Sequence, residues 1–164
     1  MSELKNKIYA HVDDALHHID VWKQSGCEVV FTNGCFDILH LGHIVYLEEA
    51  ASCGDKLIVG LNMDKSVQKL KGDNRPIHNE ASRAGVLAAL KVVNMVILFS
   101  EETPLKMIKK ITPDVLVKGG DYAVSKIVGS KHVVENGGEV MALSLVDGYS
   151  TSAAIEKIRA SSPI

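Results

Sequence analysis

The sequence predicts an α/β domain built on a parallel five-stranded sheet with helices on both faces. Short apolar runs alternate with stretches of helical periodicity along most of the 164 residues. This alternation is typical of parallel strands joined by helical crossovers. Apolar residues make up 46% of the chain and charged residues 23%, which suits a globular domain with a substantial core.

The first periodic segment spans residues 8–24, where apolar side chains recur at helical spacing. We expect residues 1–26 to form a helical extension that packs on residues 27–164, so that the chain is a single domain. Three histidines of this segment, His11, His17 and His18, are interpreted as solvated side chains.

Five strands and five helices are expected in the remainder. The strands are residues 28–32, 56–61, 92–99, 115–118 and 139–145. The helices are residues 42–53, 79–91, 104–111, 125–135 and 152–160. Thr103 and Pro104 form a good helix start, and Gly54 marks a helix end. Ligands of parallel sheets bind beyond the carboxyl ends of the strands, so functional residues are sought there.

The segment after the first strand carries the strongest functional signal. Gly34 permits a tight turn, and His40 and His43 flank Gly42 where a helix begins. The first N–H groups of a helix lack partners inside the helix and favour an anion. Histidines three residues apart project from the same side of a helical turn. We interpret this segment as a phosphate site with two imidazoles on its rim.

Two other interpretations of the histidines stay open. They could be surface caps, or two ligands of a zinc ion completed by cysteines. Cys27, Cys35 and Cys53 lack the paired spacing of a tetrahedral site, so we expect no metal bound by the protein itself.

Cations follow in a polar segment and in the next helix. Lys71 and Arg75 flank a glycine and an aspartate, which suits either a mobile phosphate clamp or a solvated surface loop. Arg83 lies in a helix rich in small apolar residues. It could form a structural ion pair or reach a terminal phosphate.

Two later segments follow strand ends. Residues 118–122 place two glycines after a strand, and Asp121 could accept hydrogen bonds from sugar hydroxyls or form the rim of a turn. Ser150, Thr151 and Ser152 precede or begin the last helix. Their hydroxyls could cap that helix or donate to phosphate.

Several classes of function are disfavoured. The chain lacks the P-loop, the nucleophile elbow and the dinucleotide-binding glycine pattern. A net charge of -2 argues against a nucleic-acid partner. No apolar run approaches the ~18 residues of a membrane helix, and no signal core is seen at the N-terminus. Three cysteines without framework spacing suggest a reducing compartment, so we expect a cytoplasmic protein with small-molecule partners.

Four segments together resemble one family. Residues 31–40, 70–76, 116–122 and 148–152 are similar to the cytidylyltransferase-like nucleotidyltransferases, which share an H-x-G-H motif after the first strand and a Ser/Thr-rich signature near the end. The resemblance covers residues 29–159 and implies a Rossmann-like fold of the H-x-G-H type. The lysine-containing loop and the K-G-G-D-Y segment point to the branch that adenylates D-glycero-D-manno-heptose 1-phosphate.

The resemblance implies roles for particular residues. His40, His43 and Lys71 would be catalytic groups at the nucleotide phosphates. The nucleotide-binding set would be Asn33, Gly34, Cys35, Phe36, His40, His43, Lys118, Gly119, Ser150, Thr151 and Ser152. The acceptor would be bound by Asp37, Arg75 and Asp121. Tyr149 stands where a smaller residue is expected, and Ala84 and Gly85 replace bulkier ones.

The implied reaction transfers AMP from ATP, with Mg²⁺ as cofactor, to the heptose 1-phosphate. Pyrophosphate leaves and ADP-heptose forms. The resemblance also implies a homo-oligomer, a dimer or higher. One alternative is cytidylyl transfer to glycerol 3-phosphate or another polyol phosphate. A non-enzymatic alternative is a nucleotide-binding sensor module on the same sheet.

Overall fold

The computed structural model describes residues 2–161. Two parts of the predicted domain organisation lie outside the described residues. They are Met1 of the N-terminal extension and residues 162–164 at the end of the domain. Helices and strands alternate as expected. The strands are β1 Ile8–Tyr9, β2 Val29–Gly34, β3 Lys56–Asn62, β4 Met95–Phe99, β5 Val115–Gly119 and β6 Glu139–Leu143. The α-helices are α1 Ser2–Lys5, α2 Val12–Gln24, α3 Leu41–Ala51, α4 Asp64–Lys71, α5 Glu80–Ala89, α6 Leu105–Ile111, α7 Ser130–Glu135 and α8 Thr151–Ser161.

All six strands are parallel and form one sheet in the order β1-β4-β3-β2-β5-β6. The predicted parallel α/β fold is therefore confirmed, with one strand more than expected. The extra strand is β1, where Ile8 pairs with Val96 and Tyr9 with Ile97. Two residues are too few to show the alternation of apolar and polar side chains that is typical of a strand. Residues 8 and 9 were therefore included in the helical pattern predicted for residues 8–24.

Two further differences from the sequence prediction concern helices. Helix α4 was not predicted, and Lys71 is its last residue instead of a loop residue. The helix predicted at 125–135 is divided into a 3₁₀ turn, Val124–Lys126, and α7. Gly129 lies between them with a φ of 89°, a left-handed conformation that interrupts a helix.

The sheet carries a separate apolar core on each face. One core packs α3 and α5 through residues such as Leu47 and Leu87, both fully buried. The other packs α2, α6 and α7 through residues such as Ile19 and Ile108. Val30 and Phe31, neighbours on β2, contribute to opposite cores, as the alternation of side chains along a strand requires.

The order of the strands determines where a ligand can bind. From β2 the chain proceeds through β3 to β4 on one side, and then returns to place β5 on the other side of β2. Loops that leave the carboxyl ends of β2 and β5 therefore diverge and open a crevice between them. None of the helices between residues 2 and 161 is long and apolar enough to cross a membrane.

Candidate functional site

The turn between β2 and α3, residues 35–40, forms one wall of this crevice. Phe36 has a φ of 43°, a left-handed conformation that is rare for a bulky residue. Its buried ring folds back over the end of β2. A Cβ on Gly34 would lie 2.9 Å from the Phe36 ring, so this position has no room for a side chain.

Two stacked imidazoles lie where α3 begins. The ring centroids of His40 and His43 are 3.8 Å apart and the ring planes differ by 22°. A Cβ on Gly42 would come within 3.2 Å of the His40 ring and 3.0 Å of Tyr149 Cβ. The Nδ1 atoms of both histidines are buried and have no hydrogen-bond partner within residues 2–161. Buried polar atoms are normally paired, so these atoms suggest that a polar ligand binds here.

Both imidazoles are neutral at pH 7. Burial lowers the pKa of His43 to about 4, and repulsion from Lys71 and from His40, when His40 is protonated, contributes to the shift. Burial also lowers the pKa of His40. A neutral imidazole carries one N–H, so each ring can donate one hydrogen bond without bringing a charge.

Three cations surround the same space. Lys71 at the end of α4, Arg75 after it and Lys118 on β5 all line a cavity of about 150 Å³ beside the turn. Burial lowers the pKa of Lys118, and the charge of Lys71 lowers it further. The Lys118 ammonium donates to the carbonyl oxygen of Asn33 at 3.2 Å. Like charges held this close favour an anion between them.

A second cavity of about 360 Å³ adjoins the first. His43, Lys71, Leu145 and Thr151 line both. The first cavity is also lined by Asn33, Gly34, Cys35, Phe36, Asp37, Tyr46, Arg75, Lys118 and Gly119. The second is also lined by His40, Gly42, Val146, Tyr149, Ser150 and Ser152. The structure thus brings together every site residue predicted from the sequence except Asp121, which is exposed and lines neither cavity.

Asp37 is buried, and its carboxylate is occupied by protein groups. It accepts hydrogen bonds from Arg75 Nε at 2.7 Å, from the Ile77 N–H at 2.8 Å and from the His78 N–H at 2.9 Å. Burial raises the pKa of Asp37, but these hydrogen bonds and the Arg75 charge outweigh it, and the net pKa is lowered. Asp37 therefore holds residues 75–78, here called the strap, against the turn.

Arg75 is the residue of the strap that lines the first cavity. Its side chain is 12% exposed. Nε is paired with Asp37, whereas Nη2 is buried and has no partner in the part of the chain that the structure describes. Asp37 thereby orients a guanidinium that lines the first cavity with a donor still available.

The start of α8 docks on the histidine turn. The Thr151 hydroxyl donates to the Ile38 carbonyl at 3.3 Å, and the Tyr149 ring stacks on His40 with centroids 6.1 Å apart. Ser150 Oγ accepts a hydrogen bond from the Ala153 N–H at 3.4 Å, so this hydroxyl does cap the helix. The Ser/Thr segment consequently forms the far wall of the second cavity.

Three lining residues were missed by sequence reasoning: Tyr46, Leu145 and Val146. Tyr46 shares a 2.5 Å hydrogen bond with the Thr32 hydroxyl, and burial raises its pKa to about 12. A Cβ on Gly119 would lie 2.9 Å from Leu145 and 3.0 Å from Tyr46. From the sequence, apolar residues such as these are predicted to belong to the hydrophobic core. Only Gly119, which leaves room for the Tyr46 and Leu145 side chains, could have indicated that they line a site.

Comparison with known proteins gives a consistent result. The model of the cytidylyltransferase-like family matches residues 31–157. Proteins named bifunctional protein HldE are similar: that of Azorhizobium caulinodans is 51% identical over 147 residues, 90% of this chain and 31% of the relative. That of Citrifermentans bemidjiense is 50% identical over 160 residues, 98% of this chain and 32% of the relative. The chain spans about a third of the length of these relatives.

Two solved structures share the fold. One is a lipopolysaccharide core biosynthesis protein from Thermoplasma volcanium, 34% identical, with a TM-score of 0.61, covering 76% of this chain and 100% of its own. The other is pantoate-beta-alanine ligase from Francisella tularensis, 14% identical, with a TM-score of 0.57, covering 84% of this chain and 66% of its own. The second likeness concerns the fold alone.

The neutral state of His43 predicts how stability depends on pH. The unfolded chain binds a proton near the ordinary pKa of 6.5, whereas the folded chain binds it only near 4. The free energy of unfolding should therefore fall as pH decreases from about 6.5 to about 4. His43→Gln should make this fall shallower, because glutamine does not titrate.

Urea unfolding at several pH values between 4 and 8 measures the effect. His17→Gln, at an exposed position on α2, is the matched control for the substitution itself. Equal slopes for wild type and His43→Gln would contradict the assignment of a neutral, half-buried His43.

Proposed function

The chain belongs to the cytidylyltransferase-like family, and from this membership we propose that it transfers AMP from ATP to D-glycero-D-manno-heptose 1-phosphate. Pyrophosphate is released and ADP-heptose is formed. The observation that carries the proposal is the pair of stacked neutral imidazoles facing Lys71, Arg75 and Lys118. The choice of sugar is supported by the resemblance of the Lys71 loop and residues 118–122 to the heptose branch.

The two adjoining cavities suit two phosphate-bearing substrates. The second cavity, between the histidines and the Ser/Thr segment, would hold the β- and γ-phosphates of ATP. The positive end of α8 and the hydroxyls of Ser150 and Ser152, which line this cavity, favour an anion there. The first cavity would hold the α-phosphate and the acceptor phosphate between the turn and the strap. His43 lines both cavities and would lie beside the phosphorus that is transferred.

The reaction then needs positioning more than acid–base chemistry. An oxygen of the acceptor phosphate attacks the α-phosphorus in line, and the bond from that phosphorus to the pyrophosphate oxygen breaks. The attacking phosphate is already ionised, so no side chain has to remove a proton. Hydrogen bonds from neutral imidazoles and charge from the lysines and Arg75 stabilise the added negative charge in the transition state.

Mg²⁺ would enter with ATP. The Asp37 carboxylate is occupied by protein donors, and no cluster of metal-ligating side chains occurs among residues 2–161. The protein residues therefore fit a polyphosphate better than a bare cation, and the ion would be held by phosphate oxygens and water. When bound, it neutralises charge on the triphosphate.

We extend the proposal to the setting of the reaction. The three free cysteines favour a reducing compartment, and we place the enzyme in the cytoplasm. We also propose that it forms a homo-oligomer, a dimer or higher. Light scattering on the purified protein tests this, and a mass of 17.8 kDa would contradict it.

The substrate proposal predicts a single dominant pair in a matrix of nucleoside triphosphates and phosphorylated acceptors. Pyrophosphate should appear with ATP and the heptose 1-phosphate, and much more slowly with hexose 1-phosphates. A site that bonds particular hydroxyls rejects acceptors that leave its buried polar groups unpaired. Preference for CTP with glycerol 3-phosphate would favour the cytidylyltransferase alternative. ATP binding without pyrophosphate from any acceptor would favour the sensor.

Lys71 is predicted to act mainly in the transition state. It ends α4 next to Gly72, which has a φ of 95° and lets the chain turn sharply after the helix. Lys71→Ala should lower kcat by roughly 10²-fold while changing the Kd of ATP much less, because the contact is made as charge develops. Lys69→Ala, an exposed position on the same helix, is the control and should leave both unchanged.

Steady-state kinetics and calorimetric ATP binding on the same preparations separate the two quantities. A loss of ATP affinity with unchanged kcat in Lys71→Ala would instead indicate that Lys71 only binds the ground state.

A further inference from the structure

Arg83 is a fully buried cation that no ligand can reach. Its side chain is 0% exposed, and it lines neither of the two cavities. A direct contact with phosphate, one of the two interpretations that the sequence left open, is therefore ruled out in this conformation. A charge in this position must be paired, because an isolated buried cation is strongly unfavourable.

The three partners of Arg83 lie on three different elements. Nη1 donates to the Cys35 carbonyl at 2.6 Å, and Nε donates to the His78 carbonyl at 3.0 Å. Nη2 donates to Asp64 Oδ1 at 2.7 Å. One planar guanidinium thus joins the turn after β2, the strap and the first residue of α4. Only arginine offers several donors in this fixed fork.

Each joined element carries a group that lines the cavities. The turn carries Phe36, whose ring centroid lies 5.5 Å from that of His43. The strap carries Arg75, and α4 ends at Lys71. Asp37 joins the turn to the strap directly. Helix α4 is tied to α5 a second time, because Glu80 accepts a hydrogen bond from the Asp64 N–H at 2.8 Å.

The conformation of the turn shows why such a link is needed. Cys35 is held through its carbonyl by Arg83, and Asp37 is held through its carboxylate by the strap. Phe36 lies between them in the left-handed conformation. A strained residue of this kind persists only where the surrounding contacts determine its position.

We propose that Arg83 is a positioning residue for nucleotidyl transfer. It holds the turn, the strap and α4 together so that Phe36, Arg75 and Lys71 face one reaction site. The inference rests on the proposed function, because it assigns Arg83 a role in that same transfer. It differs from a purely structural ion pair in predicting an effect on turnover that exceeds any effect on folding.

Arg83→Lys is the most informative variant. Lysine keeps the positive charge, but a single ammonium cannot hold three acceptors in the geometry of the fork. We expect kcat to fall by about 10²-fold, the scale of a small misplacement of reacting groups, with a much smaller change in the KM for ATP. The assay is run well below the melting temperature of each variant.

Leu87→Ala is the matched control, because Leu87 is fully buried on the same helix and touches neither cavity. It should lower Tm and leave kcat within about twofold of wild type, the scatter of such an assay, since large-to-small core changes act through packing. An Arg83→Lys enzyme that loses Tm and keeps kcat would overturn the proposal.

Two further measurements keep the test decisive. If Arg83→Lys does not fold, Asp64→Asn removes the charge of one partner, and unchanged kcat in that variant would overturn the proposal. If wild type forms no pyrophosphate from any substrate pair, the proposed function fails. An NMR titration of His43 then still tests whether Arg83 holds the turn in place. Its midpoint should rise from about 4 toward 6.5 in Arg83→Lys and not in Leu87→Ala; equal midpoints would contradict the link.

Discussion

Two imidazole rings stacked 3.8 Å apart cannot both carry a proton at low cost. Two positive charges at about 4 Å repel each other by about 4 kcal/mol at an effective dielectric constant of 20. Burial disfavours protonation of either ring, and neighbouring side chains enclose the pair. Gly42 lets the rings approach Tyr149, and Phe36 covers His43 on the opposite side.

Neutral imidazoles beside three cations make a site suited to a polyphosphate. Burial disfavours the charge on Lys118, and the charge of Lys71 opposes it as well. An anion between them relieves this repulsion and supplies acceptors for the unpaired donor of Arg75. The same arrangement would serve the proposed transfer, since negative charge at the α-phosphate would meet donors that are already oriented. The clustered positive charges are unfavourable in the free protein, and a bound anion would offset this repulsion.

Sequence patterns predicted the elements that carry strong local signals. The parallel sheet followed from alternating apolar runs and helices, and the residues of the H-x-G-H segment do converge with Lys71, Lys118 and Thr151 in the structure. Strand β1 was missed because its two residues are defined by pairing with β4, 88 positions away. Long-range pairing of this kind leaves no local pattern.

Side-chain partners were harder to predict than side-chain positions. Asp37 was assigned to the acceptor from its place in the motif, but its carboxylate is filled by the strap. The sequence left two roles open for Arg83, an ion pair or a contact with phosphate. Its bonds to backbone carbonyl groups could not be predicted, because every residue has such a group. Asp121 follows a strand end as expected, yet it stays exposed and outside both cavities. The direction in which a loop side chain points depends on the packing of neighbouring elements.

The most direct test of this account is an NMR titration of His43 in the wild-type protein, with and without saturating pyrophosphate. The free protein should show a midpoint at about 4. Bound pyrophosphate should raise that midpoint, because a nearby negative charge favours the protonated imidazole, while the exposed His17 serves as an internal reference. An unchanged His43 midpoint in protein that is saturated with pyrophosphate would show that the stacked histidines do not face the phosphates.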